Sequence, residues 1–493
     1  MKLSSLRIIP PIERYNWLVQ LAQTIPGKLI LLFVFALELL LHDKQWWIES
    51  ILILAVMTFI PKKRRLLLLL STVYWLFNYT NFDWRGITSA IEQFQLTLPM
   101  DDPFFQAGFI STAILFCAVF HFLAVKYNHT IIMRRPVLSL FIVYFTIVLS
   151  ASYLPLPPIY TAFIWIFIFT FGHYLWFLAY SLLDRKNAQH DGFVWQFRTY
   201  IPFWMEQSPM LLPIPKGAAY LRRIEAKTPE SLAICQLKAI KLLLWAFLLI
   251  IVRAVFDKVM YGFTIVIPIQ LPELQSLELP TFHMAFHGAV DGNYYPWYQS
   301  WFSLLTELFN RVLTLAITGH IIIAYVRMAG FNALRSTYKP LGAPTIAEFW
   351  NRYFYYFKEL LVELFFYPTF SRYFKQHPRF RLFFATLMAA GFGNVLFHFI
   401  YRPIYIIELG FVDAIISFHV YMFYGMILGT AIGISQIRNR HRKIPRPWWR
   451  EKIVAPAIVI LFYCFVLIFD DPDRTLTLKD NFIFVLSLFG IYR

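Results

Sequence analysis

Residues 157–183 run without a single Asp, Glu, Lys or Arg. About 20 such residues suffice to cross a bilayer as a helix, and within hydrocarbon only helices and closed barrels satisfy their own backbone. Further apolar stretches occupy 26–42, 46–61, 65–80, 104–125, 136–155, 239–262, 301–329, 380–402, 411–435, 453–470 and 481–492. The expected fold class is therefore all-α. It is a polytopic transmembrane helical bundle of roughly eleven or twelve spans, with interfacial or re-entrant helices around a central chamber.

Composition excludes a soluble enzyme. Hydrophobic residues make up 59% of the chain and charged residues 15%, with a mean hydropathy of +0.56, whereas soluble domains carry roughly 25% charged residues. A net charge of +17 invites a nucleic-acid reading. The positions of the basic residues answer it, because KKRR (62–65), MRRP (133–136) and the run 438–452 all flank apolar stretches. Membrane lipids are the expected partners, and nucleic acid is not. Cys117, Cys235 and Cys464 offer neither a disulfide framework nor metal-ligand spacing, so no metal is expected. No small-residue cleavage site follows the first apolar runs, and the N-terminus is read as an anchor.

Loop charge supplies an orientation. With the N-terminus in the cytoplasm, 62–65, 126–135, 184–238, 327–379 and 436–452 face inward. Segment 184–238 holds eight Lys/Arg and 436–452 holds seven, whereas 81–103 has one Arg and 263–300 has none. This alternation follows the positive-inside rule. The chain is described in two parts forming one integral membrane unit. Residues 1–238 hold the N-terminal spans and the 184–238 loop, and 239–493 hold the remaining spans and the chemistry-bearing segments. No internal repeat is evident.

Two segments carry that chemistry. In TIAEFWNRYFYYFKELLVELFFYP (345–368), Thr345 is a helix cap with Glu348 at the capping-box position. A continuous helix would align Glu348, Arg352, Tyr356, Glu359 and Glu363 as one polar stripe, with Glu348 and Arg352 able to pair. Such a helix can line a cavity entrance or simply lie in the membrane interface. In the apolar run 381–401, Asn394, His398 and Arg402 recur at four-residue steps and would share a helix face. Gly391 and Gly393, just before them, permit a helix break or a close backbone approach. An ionisable group at mid-membrane costs about 2.5 kcal/mol or more and usually faces a bundle interior or aqueous cavity. A neutral imidazole there can accept a proton from a hydroxyl, or can merely hydrogen-bond a neighbouring helix. His121, His173, His320 and His419 also fall in apolar runs, and spacing alone does not separate His398 from them. His283 and His287 are metal-compatible at i, i+4 but have no indicated third ligand. P-loop, dinucleotide and nucleophile-elbow motifs are absent.

The order GF (330–331), YKP (338–340), I-x-EFW-x-R (346–352) and FFYP (365–368), followed by His398, resembles the membrane-bound O-acyltransferase family. The likeness is to its bacterial branch, which acetylates exported polysaccharides or D-alanylates teichoic acids, and it covers about 301–435. It implies that His398 is the general base, and that Glu348, Phe349, Trp350 and Arg352 correspond to the family's E-F-W-x-R run. Phe354 stands where the family usually has Asn or His, and Phe397 where it commonly has Trp. Asn351 or Asn394 is then the candidate for the missing polar group. The resemblance implies an acyl-CoA or carrier-linked acyl thioester as donor substrate, with no bound cofactor. It also implies a hydroxyl of a cell-envelope glycan or lipid as acceptor, and the bacterial cytoplasmic membrane as location. An extracytoplasmic glycan-modifying enzyme or an acyl carrier protein is the implied partner. The alternatives are a transporter or export-complex scaffold, in which His398, Arg402 and Asp413 would serve a pathway, and a catalytically inactive family member.

Overall fold

The computed structural model describes residues 8–41, 47–78, 82–185, 192–208, 212–264, 274–440, 447–470 and 476–492. The expected basic run 438–452 and the loops 81–103, 184–238 and 263–300 lie partly outside these residues, as do the ends of several expected spans. Every named element among the described residues is helical. The chain is an all-α, polytopic integral membrane protein.

Among the described residues, seven helices are long and apolar enough to cross a membrane: α1 Pro103–Lys126, α2 Pro136–Tyr153, α3 Pro158–Asp184, α4 Pro229–Tyr261, α5 Trp297–Met328, α6 Pro378–Tyr401 and α7 His419–Arg440. Five of the seven begin at proline, whose missing N–H and fixed φ suit the first helical turn. An eighth span would come from Asn16–Gln23 with Ile25–Leu40, a pair bent by 97°. The number is below the eleven or twelve expected for two reasons. Trp47–Phe59, Arg64–Asn78 and Leu478–Ser487 are shorter than the roughly 20 residues a perpendicular span needs, and Ala455–Leu467 continues from a π-helical turn Arg450–Val454 that carries Arg450, Glu451 and Lys452.

Chain contacts divide the molecule into two compact units, and the division cuts α4, α5 and α6 along their length. The first comprises 1–244, 321–334 and 398–414. Its centre is α3, the most buried of the seven helices. Phe116 of α1 meets Phe167 and Phe171 of α3 at ring distances of 5.6 and 4.7 Å, and Phe141 of α2 meets Trp176 at 5.7 Å. Such aromatic contacts replace the hydrophobic drive that is missing between helices in lipid. Outward from them, Leu115, Phe122 and Ile142 are exposed, as a lipid-facing surface requires. Tyr401 lies 5.8 Å from the His173 ring, and Gln93 donates to the Ile407 carbonyl at 3.0 Å. The segment 398–414 is thereby tied to α3 and to the helix Trp84–Glu92.

The second unit comprises 245–320, 335–397 and 415–493. Its tightest seam joins α7 to the middle of α6, where Leu387–Gly393 is π-helical. Gly425, Gly429 and Gly433 of α7 repeat every fourth residue; the first two face this turn, and Gly433 faces Phe383 one turn earlier on α6. A methyl group on Gly429 would stand 2.9 Å from the Gly391 amide nitrogen, and one on Gly425 would stand 3.2 Å from the Gly391 carbonyl oxygen. Backbone therefore lies on backbone, which only small residues permit. Of the two outcomes foreseen at Gly391 and Gly393, the close backbone approach is present at Gly391, and the helix widens into a π turn without breaking.

Gly429→Val should accordingly lower thermal stability sharply. Overpacking costs about 1–3 kcal/mol where side chains can yield, and here the obstacle is main chain. Gly108→Ala, on an exposed turn of α1 with nothing within 4 Å, should leave stability unchanged or slightly raised. Heating detergent extracts before size-exclusion chromatography reads both effects, and equal melting of the two variants would contradict this packing.

Candidate functional site

The segment 345–372 is not one helix. Thr345 Oγ1 accepts from the Glu348 amide at 3.1 Å and starts the helix Ile346–Tyr353. The chain breaks at Phe354 (φ −139°, ψ 79°) and resumes as Tyr355–Leu361, a π-helical turn Val362–Phe366, and Tyr367–Arg372. The break is stabilised from upstream. Thr337 Oγ1 donates to the Tyr353 carbonyl at 2.8 Å, the Tyr355 amide donates to Ser336 at 2.9 Å, and the Tyr338 amide donates to Arg352 at 2.8 Å. These bonds satisfy groups that a broken helix would otherwise orphan.

The expected polar stripe is therefore cut in two. Glu348 and Arg352 keep their i, i+4 pair at 2.9 Å, and Glu348 is engaged there rather than closing a capping box. Beyond the break, Tyr356 is fully buried and Glu359 pairs with Lys358. Phe349 is clamped by Tyr463, whose ring stacks at 3.8 Å and whose hydroxyl donates to the Ile346 carbonyl at 3.0 Å. Desolvation pushes the Tyr353 hydroxyl up to about 12, which keeps it a proton-bearing donor at neutral pH.

Between these short helices, α6 and α7 lies a cavity of about 330 Å³, within the size range of small-ligand sites. Glu348, Trp350, Asn351 and Lys358 line it from the motif segment, and Gln436 and Asn439 from α7. Leu361, Val362 and Phe366 flank it at one π-helical turn, and Ala389 and Ala390 belong to the other. Single π turns recur at functional sites because they free or redirect main-chain groups within a helix. Asn351 is exposed and Trp350 buried, so an incoming group meets the amide first and the indole wall beyond it.

Asn394 and His398 occupy the helix Asn394–Tyr401, which continues from the π turn. Asn394 is 1% exposed, and neither its side-chain nitrogen nor its oxygen has a hydrogen-bond partner. An orphaned buried amide costs roughly 1–3 kcal/mol, so it marks a place where a polar group is required. Phe397 is fully buried with its ring 4.9 Å from Phe357 of the motif segment. The residue beside His398 is thus anchored on the cavity-forming helices. Arg402 departs from expectation: the helix ends at Tyr401 because Pro403 follows, and the residue before proline avoids helical geometry. Its guanidinium reaches the Tyr405 hydroxyl at 3.5 Å.

Structure separates the histidines that spacing left alike. His173 Nδ1 lies 2.6 Å from the Phe169 carbonyl, His320 bonds the Ala316 carbonyl, and His419 bonds Ile416 at 2.9 Å. His173 and His320 brace their own helices, His419 bonds back to the preceding helix Phe411–Ser417, and His121 is buried on α1. His398 is half-buried. The rings of His283 and His287 lie 4.1 Å apart, and among the described residues no cluster of three or more metal-ligating side chains occurs. Asp413 is exposed.

A polar network inside the second unit has no counterpart in the sequence reading. Arg311 bridges Glu307 and Asp470, Asn310 donates to Asp257 at 2.8 Å, and Arg253 bonds Thr314 at 2.6 Å. Repeated one-turn spacings (Arg253–Asp257 and Glu307–Arg311) were its legible signal. No protein-family model matches the chain, and no curated protein matches it.

Proposed function

We propose that this chain is a membrane-bound O-acyltransferase. It moves an acyl group, acetyl in the smallest case, from a cytoplasmic thioester to a hydroxyl of a cell-envelope glycan or lipid. The observation that carries this reading is the cavity built from the EFW-x-R segment, since acyl transfer needs a bound thioester next to a base. Trp350 and Asn351 would receive the thioester arm. His398 would act on the acceptor.

In the reaction, His398 removes the acceptor's hydroxyl proton as its oxygen bonds to the thioester carbon. The oxyanion is held by an amide N–H, for which the unpartnered Asn394 is the best candidate. The C–S bond then breaks, and the imidazolium returns its proton to the departing thiolate. Phe354 cannot serve as a polar group at the break, which leaves that role to Asn394 or Asn351. Glu348 and Arg352 hold the cavity wall as an ion pair. The donor is an acyl-CoA or an acyl carrier, and the location is the bacterial cytoplasmic membrane with the N-terminus inside. An extracytoplasmic glycan-modifying enzyme is the fitting partner. The transporter alternative draws on His398, Arg402 and Asp413, of which Asp413 is exposed.

Purified protein in nanodiscs should consume a labelled acyl thioester when supplied with envelope glycan or lipid. His398→Ala should reduce that rate by about 10²-fold or more, the scale of a placed general base. Undiminished transfer at equal protein level would remove His398 from the chemistry, and movement of acceptor without thioester consumption would favour transport. Orientation has its own test. The native cysteines are all buried, so Asn351→Cys and Asp291→Cys report cleanly to an impermeant maleimide. Asn351→Cys should react only in inside-out vesicles and Asp291→Cys only in right-side-out ones, and the reverse pattern would contradict a cytoplasmic donor entrance.

A further inference from the structure

Thr386 of α6 meets two oxygen atoms at once. Its Oγ1 stands 2.8 Å from the Leu382 carbonyl, one turn back on the same helix, and 2.7 Å from Gln436 Oε1 on α7. A hydroxyl carries a single proton, so it donates to only one of them, and the other contact is left as two oxygens with no hydrogen between. The Leu382 carbonyl is held by its helix and can only accept. A carboxamide turned end for end keeps its shape, and its partners decide its direction. Both contacts become hydrogen bonds when the Gln436 nitrogen faces Thr386 and the Thr386 proton goes to Leu382. The Gln436 oxygen is then turned away from Thr386.

The seam between α6 and α7 holds this geometry. Gly433, three residues before Gln436, packs on Phe383, three residues before Thr386, and a methyl group on it would stand 2.8 Å from Phe383 Cδ2. Thr386 is 3% exposed, whereas Gln436 is half-buried and lines the cavity. Apart from Thr386, nothing among the described residues hydrogen-bonds the Gln436 carboxamide. Its oxygen is an acceptor held ready at the cavity wall.

The rest of the lining narrows the ligand. Its two charged groups are already matched, Glu348 by Arg352 at 2.9 Å and Lys358 by Glu359. What else is polar there is uncharged, chiefly Thr345, Asn351, Gln436 and Asn439. An uncharged chain with N–H groups along it suits such a wall. We infer that Gln436 is a specificity-determining residue of this cavity, its oxygen accepting an amide N–H from the arm of the thioester donor, an inference that rests on the acyl-transfer reading. The two secondary amides of a pantetheine arm supply such N–H groups, in coenzyme A and in carrier-bound thioesters alike.

The test uses full-length protein in nanodiscs, with labelled S-acetylpantetheine as the probe beside an analogue methylated at both amide nitrogens. Equilibrium dialysis gives four affinities, two for wild type and two for Gln436→Met. Methylation should weaken wild-type binding about tenfold, the scale of one hydrogen bond, and Gln436→Met should weaken binding of the parent compound by as much. The two losses should not add, so the methylation effect should shrink about tenfold in the variant. A methylation loss of equal size in both proteins is steric and overturns the inference. So does equal affinity of wild type for the two compounds, or no binding of either. Should Gln436→Met aggregate, Gln436→Leu carries the same comparison. Turnover separates the inference from the reading beneath it. Coupled binding without acetyl transfer to envelope glycan or lipid would keep the Gln436 site and contradict acyl transfer, and transfer with uncoupled binding would do the reverse.

Discussion

The second unit depends on main chain packed against main chain. Gly425 and Gly429, one turn apart on α7, lie against the π-helical turn 387–393 of α6, close enough that a single methyl group would collide with the Gly391 main chain. In lipid, where apolar surface gains nothing by leaving its solvent, such proximity supplies the dispersion contacts that hold helices together. The same contact keeps a widened turn in α6. From that turn the helix carries Ala389 and Ala390 at the cavity and Asn394 and His398 beyond it. Thr386 Oγ1, 2.7 Å from Gln436 Oε1, ties the two helices together at the cavity.

Around this seam the unit is held by groups that would be costly alone. Arg311 is bracketed by two carboxylates, and Tyr463 both stacks on Phe349 and bonds the Ile346 carbonyl. Removing one member would leave a buried charge or hydroxyl unpaired, so these contacts fix geometry more than they add stability. Asn394 stands apart because its amide has no partner. A buried amide with both polar atoms unpartnered is what a site prepared for a transient oxyanion would offer.

How far the sequence disclosed this varies by residue. The spans were legible in their apolar runs and in the prolines that open them, and the π turn was legible in Gly391 and Gly393. Thr345 and the Glu348–Arg352 pair also read correctly, since capping and i, i+4 pairing are local. The break at Phe354 did not, because the groups that stabilise it, Ser336, Thr337 and Tyr338, act from a separate stretch. Arg402 was misplaced despite a plain local signal in Pro403. The four-residue glycine spacing on α7 was visible and went unread.

A cryo-EM structure with a non-transferable acyl thioester analogue tests the central claim most directly. The account predicts density in the cavity beside Trp350 and Asn351, with the acyl carbonyl within hydrogen-bond reach of Asn394 and directed toward His398. An analogue bound elsewhere, or a cavity that stays closed to it at saturating concentration, would contradict the acyl-transfer account.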